Sequence, residues 1–107
     1  MTIYNTTFMM ERSLAEDFIR WFRAEALSSL DDGSGANPRM TVVSEVPGDP
    51  DFNDQALSYA FQMEFDDIEK AKRWADGTLM PQLGRYTELF GRERAVVFTT
   101  ILEAVSL

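Results

Sequence analysis

A chain of 107 residues has room for one domain, 1–107, large enough to bury a real core. It contains no cysteine and no histidine, which removes disulfides, the usual zinc ligands, a haem-ligating imidazole and every Ser-His or Cys-His nucleophile. Its formal net charge of −8 opposes nucleic-acid binding, which draws most of its affinity from Lys and Arg, and keeps a small domain soluble. The chain enters a strand-like pattern at once instead of a basic-plus-apolar signal segment, and no apolar run approaches the roughly 20 residues that span a bilayer. The expectation is a soluble cytoplasmic protein with no membrane contact.

Residues 2–10 alternate around β-branched and aromatic side chains and predict a strand, with Tyr4, Thr6, Phe8 and Met10 on one face and Ile3, Asn5, Thr7 and Met9 on the other. Ser13 and Glu16 form a candidate capping box, and Leu14, Phe18, Trp21 and Phe22 follow at helical spacing. Glu16 and Arg20, four apart, suit a helical ion pair. The turn-rich run DDGSGANP ends that helix. Arg39–Val46 predicts a second strand, with Met40, Val42 and Val46 opposite Thr41, Val43 and Glu45. PGDPDFND reads as a hairpin connection.

The strongest signal is Ala56–Phe65, where Leu57, Tyr59, Phe61, Met63 and Phe65 occupy every second position. It predicts a central strand with one fully apolar face. Asp66 is then placed to cap a helix, with Glu69 as box partner and Ile68, Ala71, Trp74 and Ala75 facing inward. Gly77 predicts a break, Thr78 a new cap, and Pro81 lies in the first turn of a segment carrying Leu79, Leu83, Tyr86 and Phe90. Gly91 predicts its stop. Residues 94–105 alternate again, setting Val96, Phe98, Thr100 and Leu102 against Ala95, Val97, Thr99, Ile101 and Glu103.

The order β-α-β-β-α-β predicts an α+β, ferredoxin-like domain: a four-stranded antiparallel sheet in spatial order 4-1-3-2 with both helices on one face. The bulkier set of each strand is assigned to the helices, including Phe98 and Leu102. The other face then carries Ile3, Asn5, Thr7, Met9, Thr41, Val43, Ala60, Gln62, Glu64, Val97, Thr99, Ile101 and Glu103. That face is too apolar for plain solvent, so a second copy is the expected cover and a two-fold homodimer the expected assembly. Its polar members Asn5, Thr7, Gln62, Glu64 and Thr99 have two readings. They orient a small-molecule ligand by hydrogen bonds, or they satisfy one another and water within the interface.

The stretches I-Y-N-T-T, Y-A-F-Q-M and V-V-F-T-T-I-L-E resemble the DUF4286 family, a group without assigned activity whose layout is similar to the dimeric α/β-barrel proteins. The resemblance covers nearly the whole chain and implies two ferredoxin-like sheets facing each other. The family pattern places histidines at positions matching Ala26 and Tyr86 here, so no role of those histidines carries over.

Little in the remaining residues specifies chemistry. Asp49, Asp51 and Asp54 are close together but lack the Gly and terminal Glu of a calcium loop, and no phosphate-binding glycine loop is present. Neither a metal nor a cofactor is expected. Glu64 and Glu103 would serve as general acid or base only if buried. Tyr59 and Tyr86 could donate to a bound carbonyl, although Tyr is also a routine core residue, and Trp21 and Trp74 read as core filling. An RNA-binding sheet needs exposed aromatic and basic residues, which this face assignment lacks. The expected function is a homodimeric α/β-barrel domain that binds a small molecule or serves as an interaction module. The alternative is a cofactor-independent enzyme, monooxygenase- or cyclase-like, acting on a small aromatic or polyketide-like substrate.

Overall fold

In the computed structural model, which describes residues 1–43 and 56–107, two long strands form the spine. β1 (Thr2–Glu11) and β3 (Ala56–Phe65) pair antiparallel from Thr2↔Phe65 to Glu11↔Ala56 without a register shift. β4 (Ala95–Glu103) adds outside β1, and β2 (Ala36–Val42) adds outside β3, giving the order β2-β3-β1-β4. This is the antiparallel ferredoxin-like α+β arrangement that the order of elements predicts. The expected positions Glu45 and Val46, the loop PGDPDFND and the cluster Asp49, Asp51 and Asp54 lie outside the described residues.

Two helical arms cover one face of the sheet. The first, residues 12–30, begins as a 3-10 turn (Arg12–Leu14). It continues as α1 (Ala15–Trp21), a π-helical turn (Phe22–Ala26) and α2 (Leu27–Leu30). The second, residues 68–90, comprises α3 (Ile68–Trp74), a π-helical turn (Ala75–Leu79) and α4 (Met80–Phe90). Their inner faces meet β1 and β3 in an aromatic core. Phe18 lies 5.1 Å from Phe8 and 5.3 Å from Tyr59, while Phe22 meets Phe61 at 5.2 Å and Trp74 meets Phe65 at 5.2 Å, between ring centroids. The buried Trp74 Nε1–H donates to the Leu30 carbonyl at 2.9 Å, tying the end of the first arm to the second. Gly35, just before β2, is needed for close approach: a Cβ there would meet Met63 Cε at 2.7 Å.

Several local signals resolve onto neighbouring residues. The predicted capping box at Ser13 does not form. Ser13 Oγ instead accepts from Arg94 Nη2 at 3.0 Å, while Arg94 Nε donates to Glu11 at 2.7 Å, which clamps the start of β4 to the end of β1. Arg20 pairs with Asp17 rather than Glu16. Asp67, not Asp66, caps the second arm by accepting the Lys70 N–H; Asp66 takes the Lys70 ammonium. The first turn exposes Ile68. Gly77 does not break the arm, because one exposed helical glycine costs only about 1 kcal/mol while Trp74, Ala75 and Leu79 are buried beside it. Thr78 does not cap a helix; its hydroxyl donates to Asp32 at 3.0 Å. Pro81 does stand in the first turn of α4, and Gly91, at φ 80°, does end it.

The larger correction concerns β4. Val97 pairs with Phe8, Thr99 with Thr6 and Ile101 with Tyr4, so these residues face the helices. Phe98 and Leu102, expected in the core, point to the other side and remain 49% and 41% exposed. The helix side of β4 is occupied by Tyr86, whose hydroxyl lies within hydrogen-bond distance of the Met9 and Val96 carbonyls, leaving room for Ala95 and Val97 rather than Phe98. Shifting a strand by one residue exchanges its faces, and both faces of this strand are apolar enough to permit either choice.

Thr6 lies under the arms, fully buried, and its Oγ1 has no hydrogen-bond partner among the described residues. An unpaired buried hydroxyl costs desolvation without return. Thr6→Val, nearly isosteric, is therefore expected to leave the urea unfolding free energy unchanged or raise it by about 1 kcal/mol. A loss of that size would instead place a bridging water at Oγ1.

Candidate functional site

The face away from the arms divides lengthwise. Along β1 and β4, the pairs Met9↔Val96, Thr7↔Phe98 and Ile3↔Leu102 make a mostly apolar strip. Along β3 and β2, a hydrogen-bonded polar row crosses three strands. Arg39 donates through Nε and Nη2 to Gln62 Oε1 at 3.0 and 2.9 Å, Gln62 Nε2 donates to Asn5 Oδ1 at 3.2 Å, and Asn5 Nδ2 donates to Thr7 Oγ1 at 3.1 Å. Beside it, Asn37 Nδ2 donates to Glu64 Oε2 at 2.7 Å. Asn37 has φ 52° at a register shift between β2 and β3, a left-handed conformation that asparagine tolerates and that bulges use to re-aim a side chain.

Four of the five expected site residues, Asn5, Thr7, Gln62 and Glu64, therefore share this face. Thr99 does not: it pairs with Thr6 on the helix side, an exchange of face that follows from the β4 register. Glu103 is on the helix side too and accepts from the Thr2 hydroxyl at 2.8 Å, so neither carboxylate singled out for proton transfer is isolated in an apolar setting. Sequence alternation places no aromatic on this face, and Phe98 corrects that. Arg39 and Asn37 escape a reading of the sequence because a β2 running from residue 36, with its bulge, is not visible in the pattern of ANPRMTV.

A second feature lies on the opposite side of the sheet. Between the first arm and the β2–β3 edge runs a groove with a deeper part of about 250 Å³, floored by Phe22, Met40 and Phe61. It adjoins a shallower part of about 680 Å³ bounded by Ala15, Glu16 and Tyr59. Ile19 and Arg23 line both parts. Arg23 lies in the π-helical turn of this arm, and such turns occur often at functional sites. Ile19, Arg23 and Leu27 recur at every fourth position, a spacing visible in the sequence. That β2 leaves this stripe only partly covered is not.

Tyr86 serves structure. Burial pushes its phenol well above the ordinary tyrosine range, and its hydroxyl links α4 to β1 and β4 through the Met9 and Val96 carbonyls. At Asp32, burial opposes the charged form. Hydrogen bonds from the Ser34 backbone and side chain and from Thr78 outweigh it and hold the carboxyl below its usual range. Among the described residues no cluster of acidic side chains has the arrangement of a metal site, and no helix is long and apolar enough to cross a membrane.

A family model described as a domain of unknown function, DUF4286, matches residues 1–105. The chain belongs to this family. No curated protein matches the sequence. Among solved structures, an antibiotic biosynthesis monooxygenase is similar with a TM-score of 0.64 and 12% identity, over 99% of this chain and 100% of that one. SnoaB from Streptomyces nogalater, a cofactor-independent oxygenase solved as a point mutant, is similar with a TM-score of 0.59 and 15% identity, over 99% and 95%. A dimeric ferredoxin-like protein from an uncultured marine organism has a TM-score of 0.57 and 17% identity, over 100% and 97%. At these identities the likeness shows the fold of this DUF4286 domain.

The Tyr86 tie has a pH signature. Because the folded-state pKa is raised above that of the unfolded chain, its contribution is complete below the ordinary tyrosine pKa of about 10 and is lost as pH rises beyond it. Tyr86→Phe is expected to cost about 1–2 kcal/mol at neutral pH and to flatten part of the alkaline loss of stability. Urea unfolding of both proteins at neutral and alkaline pH checks this, and parallel curves would show that the phenol titrates as it does in the unfolded chain.

Proposed function

We infer that this domain functions as a homodimer in which two open sheet faces meet across a two-fold axis, each protomer providing a small-molecule site on a barrel-like frame. The observation that carries the assembly is the uncovered strip of Ile3, Met9, Val96, Phe98 and Leu102 running beside a polar row. Monomeric domains seldom leave such a strip exposed, and an isologous contact covers it with its own copy. A dimeric ferredoxin-like protein among the structural neighbours supports a homodimer.

In this reading Asn5, Thr7, Gln62 and Glu64 form the polar centre of the contact rather than a ligand cage. Each already makes a hydrogen bond within one protomer, which lowers the cost of covering it. The donor capacity left on Arg39 can reach across the contact or hold interfacial water. Ligand binding then falls to the groove under the first arm.

A second reading, cofactor-independent oxygenation of a small aromatic substrate, is supported by the fold shared with the antibiotic biosynthesis monooxygenase and SnoaB and by the apolar groove floor. Fold alone carries no chemistry, and the binding-domain reading needs fewer assumptions.

Light scattering at micromolar concentration is expected to return twice the 12.2 kDa chain mass. Phe98→Glu, on an exposed edge strand, is expected to give a monomer with unchanged circular dichroism, since an unpaired charge buried in a contact costs at least about 2 kcal/mol. A monomeric wild-type protein, or a dimer indifferent to Phe98→Glu, overturns this assembly.

A further inference from the structure

We propose that the groove between the first arm and the β2–β3 edge binds a small aromatic carboxylate, with Arg23 as its anion-recognising residue. The proposal rests on reading the protein as a small-molecule-binding domain, but it uses the side of the sheet opposite the dimer face.

Arg23 makes no hydrogen bond or ion pair with any other described residue, and neither does the hydroxyl of Tyr59. Elsewhere the chain pairs many of its cations: Arg20 with Asp17, Lys70 with Asp66, Arg85 with Glu25 and Glu88, and Arg94 with Glu11. Lys72, Arg73 and Arg92 are likewise without an ion pair among the described residues; what distinguishes Arg23 is its place beside this groove. A guanidinium is charged at all relevant pH and offers a planar fork of N–H donors that matches a carboxylate, and a phenol adds one more donor. Both line the same depression and offer their donors there to an acceptor group.

The floor sets the rest of the ligand. Ile19, Phe22, Met40 and Phe61 give the floor apolar and aromatic surface; Arg39 also borders it, but its guanidinium is bonded to Gln62. The deeper part, at about 250 Å³, exceeds the roughly 150 Å³ cavity that holds a benzene ring, so one or two fused rings fit and a larger scaffold would extend into the shallower part. Glu16 and Asp31 stand at the margins and repel additional negative charge, which favours a single carboxylate over a phosphate ester.

The test uses the full chain with 2-naphthoate as probe and the neutral 2-naphthamide as its control, followed by calorimetry and by amide chemical shifts. Naphthoate is expected to bind at least about tenfold tighter than the amide and to shift the amides of Ile19, Arg23, Met40 and Tyr59. Arg23→Gln is expected to lose about tenfold in naphthoate affinity with no change in amide binding or in thermal midpoint, and Arg23→Lys to recover part of it. Phe98→Glu, which addresses the dimer, is expected to leave naphthoate binding intact; its loss there would tie the groove to assembly and overturn the separation of the two sites. Equal binding of acid and amide, no binding of either, shifts confined to the open sheet face, or indifference to Arg23→Gln each overturns the proposal.

Discussion

The antiparallel pairing of β1 with β3 is the constraint on which the other features depend. Ten consecutive partners in one register send Tyr4, Thr6, Phe8, Phe61, Met63 and Phe65 to one side and Asn5, Thr7, Gln62 and Glu64 to the other. Because the side-chain period is two, neither set can be altered alone. The first side is bulky enough to demand two helical arms. The second carries the row of polar side chains whose spacing across β2, β3 and β1 lets them bond one to the next. The register thus produces both the core and the candidate interface.

The arms answer the core side with aromatic packing rather than with regular helix geometry. Each arm contains a π-helical turn immediately after a tryptophan, at Phe22–Ala26 after Trp21 and at Ala75–Leu79 after Trp74. A π turn adds one residue to the turn and shifts the faces downstream. In the second arm it keeps Leu79 and Tyr86 on the buried side although Gly77 lies between Trp74 and Leu79. In the first it coincides with Phe22 in the core and Arg23 at the groove. Departure from regular helix is here part of how one arm supplies both a core residue and an unpaired cation.

The two sides of the sheet are suited to different tasks. The open face is flat, and its polar groups are already bonded to one another, which suits contact with another flat face. The groove is concave and apolar, with donors that lack partners among the described residues, which suits a small ligand. Phe98 and Arg23 lie on opposite sides of the same sheet, so a substitution at one leaves the surroundings of the other in place.

Much of this was legible from residue order. The alternation in Ala56–Phe65, the turn-rich DDGSGANP and the helical stripe of Leu79, Leu83, Tyr86 and Phe90 determined the element order, the antiparallel sheet and the apolar side of β3, because periodicity is a local property. Four residues of the polar row were also visible as the positions between the large ones. What tertiary structure decided was every choice between two locally acceptable options. Val96, Phe98 and Leu102 against Val97 and Ile101 is an even contest within β4, settled by Tyr86 filling the helix side and by the Arg94 clamp to Glu11 and Ser13. Ser13 and Asp66 are plausible caps whose side chains met other partners in space, Arg94 and Lys70. Gly77 is a helix breaker outweighed by the burial around it. The groove at Arg23 exists only because an arm and an edge strand, distant in sequence, leave a gap between them, and no local pattern encodes a gap.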